Sequence, residues 1–399
     1  MTTQIRDAYI VSALRTPVGK APRGVLRNAR PDDLLAHVLK SVVATVPALD
    51  PREIGDVVVG CAMPEAEQGM NVARIGLLLA GLPHSVPGIT VNRFCSSGLQ
   101  AIAYAADKIR LGEADVMIAA GTESMSLIPM MGHKIVMNPK VFEDNENLGI
   151  AYGMGITAER VAKQWKISRE AQDAFALESH RRAVAGWQSG EFNQEIVAVN
   201  VEDNLLDAAN MRIKTSHTTF TRDEGPRADS TLESLAKLKP VFATQGSVTA
   251  GNSSQMSDGA AAVLLMSEAA LKRFNASPMA RFVSYAIAGV PPDIMGIGPK
   301  EAIPKALKMG GIAQNQLDWI ELNEAFAAQS LAVINDLNLD PSKVNPLGGA
   351  IALGHPLGAT GAIRMATLAH GLRRRKLKYG MITMCIGTGM GAAGIFESV

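Results

Sequence analysis

The chain is 399 residues long, 47% hydrophobic and 19% charged, with a formal net charge of +1. That length allows a large buried core and two or three domains, while the near-neutral charge gives no footing for nucleic acid. Three scattered cysteines (Cys61, Cys95, Cys385) make neither a disulfide framework nor a zinc site, and no run of about 18 apolar residues or N-terminal signal stretch is present, so a cytoplasmic protein with reduced thiols and no membrane span is expected.

In chain order, Arg6 to Ala13 reads as an apolar strand ended by the turn Arg15-Thr16-Pro17. A helix follows Pro31, with Asp32 and Asp33 in its first turn and Leu34, Leu35, Val38, Leu39 and Val42 along one face. Asp56 to Gly60 is a buried strand, Asn71 to Ala80 a helix, and Gly88 to Val91 a short β-branched strand. Asn92 to Gln100, NRFCSSGLQ, then carries Cys95 into a helix with Leu99, Ile102, Ala103, Ala106 and Ile109 at helical spacing. A thiol at a helix N-terminus is expected to have a lowered pKa and to suit nucleophilic work. The plain alternative is a small apolar residue filling a strand-to-helix corner. The strand Asp115 to Ala120 follows, closed by Gly121-Thr122-Glu123-Ser124. Alternating strands and helices predict an α/β domain with a largely buried sheet.

From Ser126 the pattern breaks into a Met- and Gly-punctuated loop, the charged stretch Glu143-Asp144-Asn145-Glu146 and Tyr152-Gly153-Met154-Gly155, which reads as an insertion. Inside it lie a capped helix, Ser168 to Ala185, and a basic, turn-rich segment from Arg212 to Lys239. Regular patterning returns at Val248 to Asn252 and the strand Ala260 to Met266. The second half then echoes the first: Leu317 to Leu322 matches Ile54 to Val59, and Asn345 to Met390 matches Asn92 to Met125. Cys95 pairs with His355 in that repeat, and Gly121-Thr122 with Gly387-Thr388. Two such halves packed about a pseudo-two-fold axis would set Cys95 and His355 face to face. His355 lies in the glycine-dense turn GGAIALGHPLG and could take the Cys95 proton. Cys385 ends the strand Met381 to Met384 and supplies a second acid/base. Asn323 offers an amide to a water or a developing oxyanion, or alternatively a helix N-cap. Backbone N–H groups of Cys95 and Gly387 could form a donor pair. GMGAAG at 389–394 matches a dinucleotide fingerprint, but too little chain follows it to complete that fold.

NRFCSSGLQA, NEAFA, GGAIALGHPLGATG and CIGTGMG, in this order and spacing, resemble the thiolase family over essentially the whole length. The resemblance implies an α/β thiolase fold, five-layered αβαβα, made of two similar halves with an inserted loop domain. Its expected divisions are an N-terminal half over 1–125 completed by 250–275, a loop domain covering coenzyme A over 126–249, and a C-terminal half over 276–399. It implies ping-pong acyl transfer: His355 activates Cys95, which attacks a 3-oxoacyl-CoA; Cys385 protonates the departing acetyl-CoA enolate; coenzyme A then takes the acyl group. Asn323, through a water, and His355 would hold the thioester oxygen, and the N–H groups of Cys95 and Gly387 the acyl oxygen. Contacts to coenzyme A carry over to Arg227, Ser234, Phe242, Ala250, Ser254, Met295 and Phe326. Coenzyme A and acyl-CoA enter as substrates, with no permanently bound cofactor and no metal. A homodimer or homotetramer is expected, and a complex with a β-oxidation multienzyme subunit is a further partnership the resemblance carries.

Short-chain biosynthetic members commonly have His-Met-Gly where this chain has Gly153-Met154-Gly155, and Met130 to Ile150 does not resemble their tetramerisation loop. The expected activity is therefore degradative 3-ketoacyl-CoA thiolase of fatty-acid β-oxidation, with acetoacetyl-CoA thiolase (short-chain acetyl-CoA acetyltransferase) as the alternative. Decarboxylating ketosynthases share this kind of fold but use a Cys with two His, and Cys385 argues against them. A carrier with a decayed site is the non-catalytic rival.

Overall fold

Strands that are apolar at every position rather than at alternate ones bury both faces, and that pattern organises this molecule. A computed structural model describes residues 5–145 and 147–399. Met1 to Gln4 and Glu146 of the charged stretch lie outside the described residues.

The first half contains strands β1 (Ala8–Arg15), β2 (Gly19–Lys20), β3 (Val57–Gly60), β4 (Gly88–Val91), β5 (Val116–Ser124) and, after the insertion, β8 (Ser257–Ser267). Its helices are α1 (Pro31–Ala44), α2 (Val72–Leu79), α3 (Ser97–Arg110) and α7 (Glu268–Phe274). The insertion holds α4 (Met154–Gln164), α5 (Arg169–Gln188), the hairpin β6 (Val199–Asp207) and β7 (Arg212–Phe220), and α6 (Leu232–Ala236). The second half is β9 (Ala280–Gly289), α8 (Gly298–Gly310), β10 (Leu317–Leu322), α9 (Ala327–Leu337), α10 (Ala350–Leu353), α11 (Leu357–Arg375), β11 (Tyr379–Ile386) and β12 (Met390–Ser398).

Strand order runs β10-β11-β12-β9 in one half and β1-β8-β5-β3-β4 in the other, with a short antiparallel contact of Tyr9 and Ile10 on Arg281 and Ala280 joining them. Val344, bridged to Ile320, stands where β4 stands in the first half. Period-2 alternation explains the layers. Val57, Val59, Ile118, Ala120, Ala262 and Leu264 face α1 and α2, whereas Val58, Met117, Ala119, Val263 and Leu265 face α3 and α11. In the second half, Leu317, Ile320, Leu322 and Ile395 pack under α8 and α9, while Trp319, Ile382, Met384 and Phe396 turn inward to the same α3–α11 layer. The result is five layers, αβαβα, with α3 and α11 at the centre.

Those two helices touch backbone to backbone. A Cβ on Gly361 would lie 2.1 Å from the Leu99 nitrogen, and one on Gly98 would lie 2.8 Å from the Ala362 nitrogen. Only glycine permits that approach, and it draws the N-termini of both helices to one place. Arg15, at the end of β1, ties the insertion to this body. Its guanidinium donates to Glu195 at 2.6 Å and to both oxygens of Asp223 at 2.7 and 3.0 Å, all buried. Among the described residues no helix is long and apolar enough to cross a membrane.

The segment from Arg212 differs from its reading as turns. Its first nine residues pair with β6 in a hairpin whose strand β7 is exposed except at Phe220, so no apolar alternation marks it in sequence. Arg373, Arg374 and Arg375 do form a solvated helix end, with Arg374 and Arg375 both paired to Glu191.

Candidate active site

Asn92 and Ser97 build the turn that carries Cys95. Asn92 accepts the Phe94 N–H at 2.8 Å and donates to the Ala62 carbonyl at 3.0 Å. Ser97 accepts the Arg93 N–H at 2.9 Å and donates to the Phe94 carbonyl at 2.7 Å. These bonds hold Phe94 at φ +45°, a left-handed conformation that a non-glycine residue adopts only when its surroundings impose it. Cys95 sits in the single 3-10 turn Phe94–Ser96 just before α3, buried among Ala62, Met63, Phe94, Met125 and Leu357.

The expected lowering of the Cys95 pKa is not found. Burial pushes the thiol up to about 12, with the Glu123 carboxylate adding to the rise, while the backbone N–H groups of Gly387 and of Cys95 itself pull it down. The apolar wall removes more solvation than the helix end restores. The same two N–H groups singled out in the sequence thus face the sulfur.

His355 follows α10 and Gly354, whose φ of +92° and contact with Ser257 exclude a side chain there. The His355 N–H donates to Gln255 O at 3.2 Å and Ser257 Oγ at 3.1 Å. On the ring, Nε2 lies 3.3 Å from Asn323 Nδ2 and Nδ1 lies 2.6 Å from Thr360 Oγ1. Burial first, and the nearby Arg364 cation second, lower its pKa to about 3, so the imidazole is neutral. Asn323 is not a helix cap: α9 begins at Ala327 with Phe326 as its N-cap. The Asn323 backbone N–H is held by Thr383 O at 2.9 Å, and its Oδ1 is buried without a partner among the described residues.

Cys385 lies on β11 beside Gly391 of β12, enclosed by Met154, Ala158, Val248, Met295, Ala325 and Phe326. Burial and the neighbouring Cys95 both push its thiol up. A Cβ on Gly387 would lie 3.8 Å from both Phe94 and Met154, which sets the turn after Cys385 against the turn that holds Cys95. Leu357, two residues past His355, packs on Cys95. The turns from both halves therefore meet around one sulfur.

Of the residues expected to meet coenzyme A, Met295 and Phe326 enclose Cys385. Phe242 stacks edge-on to Phe326 with centroids 6.1 Å apart, and the Ser254 N–H donates to Ala325 O at 2.9 Å. Arg227 and Ser234 are exposed on the insertion, and Ala250, just past its end, is exposed as well. The Ser234 hydroxyl closes a capping box with Thr231, and the Arg227 N–H donates to His180 Nδ1 at 3.2 Å.

Sequence reading passes over Glu123, Glu324 and Thr360. The buried Glu123 carboxylate accepts from the N–H groups of Ala62 (2.7 Å), Met63 (3.2 Å) and Gly358 (2.8 Å), bracing the loop after β3 to the first turn of α11. Glu324 accepts from Ser179, Asn345 and the Ile351 N–H and so fixes α10 ahead of His355. The signal for both was their place two or three residues past the last apolar residue of a buried strand.

Residues 8–269 match the model for the thiolase N-terminal domain and residues 276–398 that for the thiolase C-terminal domain. The chain is 50% identical over 393 residues to "3-ketoacyl-CoA thiolase" of Bacillus subtilis (strain 168), covering 98% of this chain and 100% of that protein. It is 47% identical to "3-ketoacyl-CoA thiolase A, peroxisomal" of Mus musculus, covering 98% and 91%. The crystal structure of the Bacillus anthracis acetyl-CoA acetyltransferase superposes with a TM-score of 0.89 at 39% identity, covering 100% of each chain. With both halves matched and cysteine, histidine and asparagine gathered where the two halves meet, the chain belongs to the thiolase family.

Proposed function

We propose that the protein is an acetyl-CoA C-acyltransferase that cleaves 3-oxoacyl-CoA with coenzyme A in fatty-acid degradation. The observation that carries this reading is the Gly387 N–H facing Cys95 while Asn323 contacts His355 and Cys385 lies behind. His355 takes the Cys95 proton and the thiolate adds to the 3-keto carbon, whose oxygen is received by the N–H groups of Cys95 and Gly387. Collapse breaks the C2–C3 bond. The leaving acetyl-CoA enolate, held by His355 and an Asn323-bound water, takes a proton from Cys385. In the second half, the Cys385 thiolate accepts the proton of coenzyme A, whose sulfur attacks the acyl-Cys95 thioester. Cys95 leaves and recovers its proton from His355. The neutral resting thiol and imidazole make the first transfer a step that substrate binding must trigger.

Coenzyme A enters by this reading along the insertion, residues 126–249, with Met295, Phe326, Phe242, Ser254 and Ala250 on the pantetheine path and Arg227 and Ser234 near its polar end. The outer halves, 1–125 with 250–275 and 276–399, hold the chemistry. Three free thiols suit a reducing compartment, here the cytoplasm. A homodimer is the favoured assembly, with the tetramer and a multienzyme complex as further options. Strand β4 ends the sheet, with no further strand beyond it among the described residues, and it carries the exposed Ile89 at that edge, as suits an isologous strand contact.

The Bacillus anthracis neighbour favours the short-chain acetyltransferase as second reading. Thiolysis rates on four-carbon against ten- to sixteen-carbon 3-oxoacyl-CoA separate the two. Activity on the longer substrates is expected, and activity confined to acetoacetyl-CoA would overturn the degradative role.

A further inference from the structure

The proposed reaction asks His355 Nε2 for two opposite services: an open lone pair to take the Cys95 proton, then an N–H to offer the thioester oxygen. Nε2 has an open lone pair only in the tautomer whose hydrogen sits on Nδ1, and once it has taken the Cys95 proton the ring is an imidazolium with an N–H at both nitrogens, so the partner of Nδ1 must accept throughout. A carboxylate there would accept too, but its charge would favour a resting imidazolium. The partner here is a hydroxyl. Thr360 Oγ1 lies 2.6 Å from Nδ1, in the first turns of α11, and is fully buried.

That hydroxyl has no other engagement among the described residues. Helical threonines commonly bond back to the carbonyl one turn earlier, as Thr367 does to Ile363 in the same helix, but Thr360 does not. Oγ1 is thus left to accept from Nδ1–H, both in the neutral ring and after Nε2 has taken the Cys95 proton. Arg364, one turn further along α11, puts a buried cation near the ring and disfavours a resting imidazolium.

Resting on the site reading above, we infer that Thr360 is a positioning residue for His355, its hydroxyl oxygen accepting the Nδ1–H and so holding Nε2 in one place for Cys95, first as a lone pair and then as an N–H.

Thr360→Val and Thr360→Ser distinguish this from packing. Valine keeps the shape and loses the hydroxyl; serine keeps the hydroxyl and leaves a methyl-sized void. The inference expects Thr360→Val to lower kcat by roughly 100-fold with KM nearly unchanged, at the low end of what a placed acid/base supplies. Thr360→Ser is expected to stay within about 5-fold of wild type. The reverse order, serine worse than valine, would overturn it. Should Thr360→Val not fold by circular dichroism, Thr360→Ala replaces it with the same expectation. His355→Ala is measured alongside: an inactive His355→Ala with fully active Thr360→Val sinks the positioning role alone, whereas an active His355→Ala sinks the site reading beneath it.

Discussion

Cys95 and His355 rest as a neutral thiol and a neutral imidazole because each is stripped of solvent, and the cost of a buried charge acts in opposite directions on acid and base. Alkylation of Cys95 by iodoacetamide should therefore keep rising with pH through 9, about tenfold for each unit, with no plateau. A plateau near neutrality would instead mean a standing thiolate–imidazolium pair. The same burial leaves a mark on stability. The folded-state pKa of His355, about 3, lies below its unfolded value of about 6.5, so its contribution is fully present above pH 6.5 and is lost as pH falls toward 3. Urea unfolding of His355→Asn against wild type should show the difference moving in favour of the variant between pH 6.5 and 4. Asn323→Ala should lower kcat by about 10²- to 10³-fold with little change in KM, the cost of one lost oxyanion donor. At this scale the sequence exposes residues that sit in glycine-dense turns at strand ends. It hides Glu123, whose partners at 62, 63 and 358 are remote in the chain. It also misleads on the thiol, since the helix end is local while the apolar wall of Met63, Met125 and Leu357 is assembled by folding.

The crossing of α3 and α11 converts sequence duplication into one site. Gly361→Ala would press a methyl against the Leu99 backbone, an atom that cannot rotate away, and should destabilise the protein by at least about 1–3 kcal/mol in urea unfolding while spreading the Cys95 and His355 turns. Loss of activity beyond the loss of folded protein is the expected signature; unchanged stability and rate would show that the helices are not held by this contact. Arg15 plays the matching part for the insertion. Arg15→Ala leaves the Glu195 and Asp223 carboxylates buried and unpaired and should cost about 3–5 kcal/mol. Helices α1, α2, α3 and α5 and strands β1, β3, β5, β8, β10 and β11 were legible because their apolar periods of 3.6 and 1 are local, whereas β9, β12, α4, α8 and α9 were not read from the sequence. The β6–β7 hairpin was not, because only its base at Val199, Val201 and Phe220 is buried and its polar alternation carries no face.

As a whole, the molecule is two similar α/β halves turned about a common centre, and the proposed reactive groups lie where the halves meet. The echo of Asn92–Met125 in Asn345–Met390 made that arrangement readable, although the short β1–β9 junction left no sequence mark. The open β4 edge extends the same logic outward, and sedimentation should give at least a dimeric mass. The most direct test of a single sulfur served by both halves is peptide mapping by mass spectrometry after brief incubation with acetyl-CoA. The acetyl group should be found on the peptide containing Cys95 and should vanish in His355→Ala; an acetyl on Cys385, or none at all, would contradict the account.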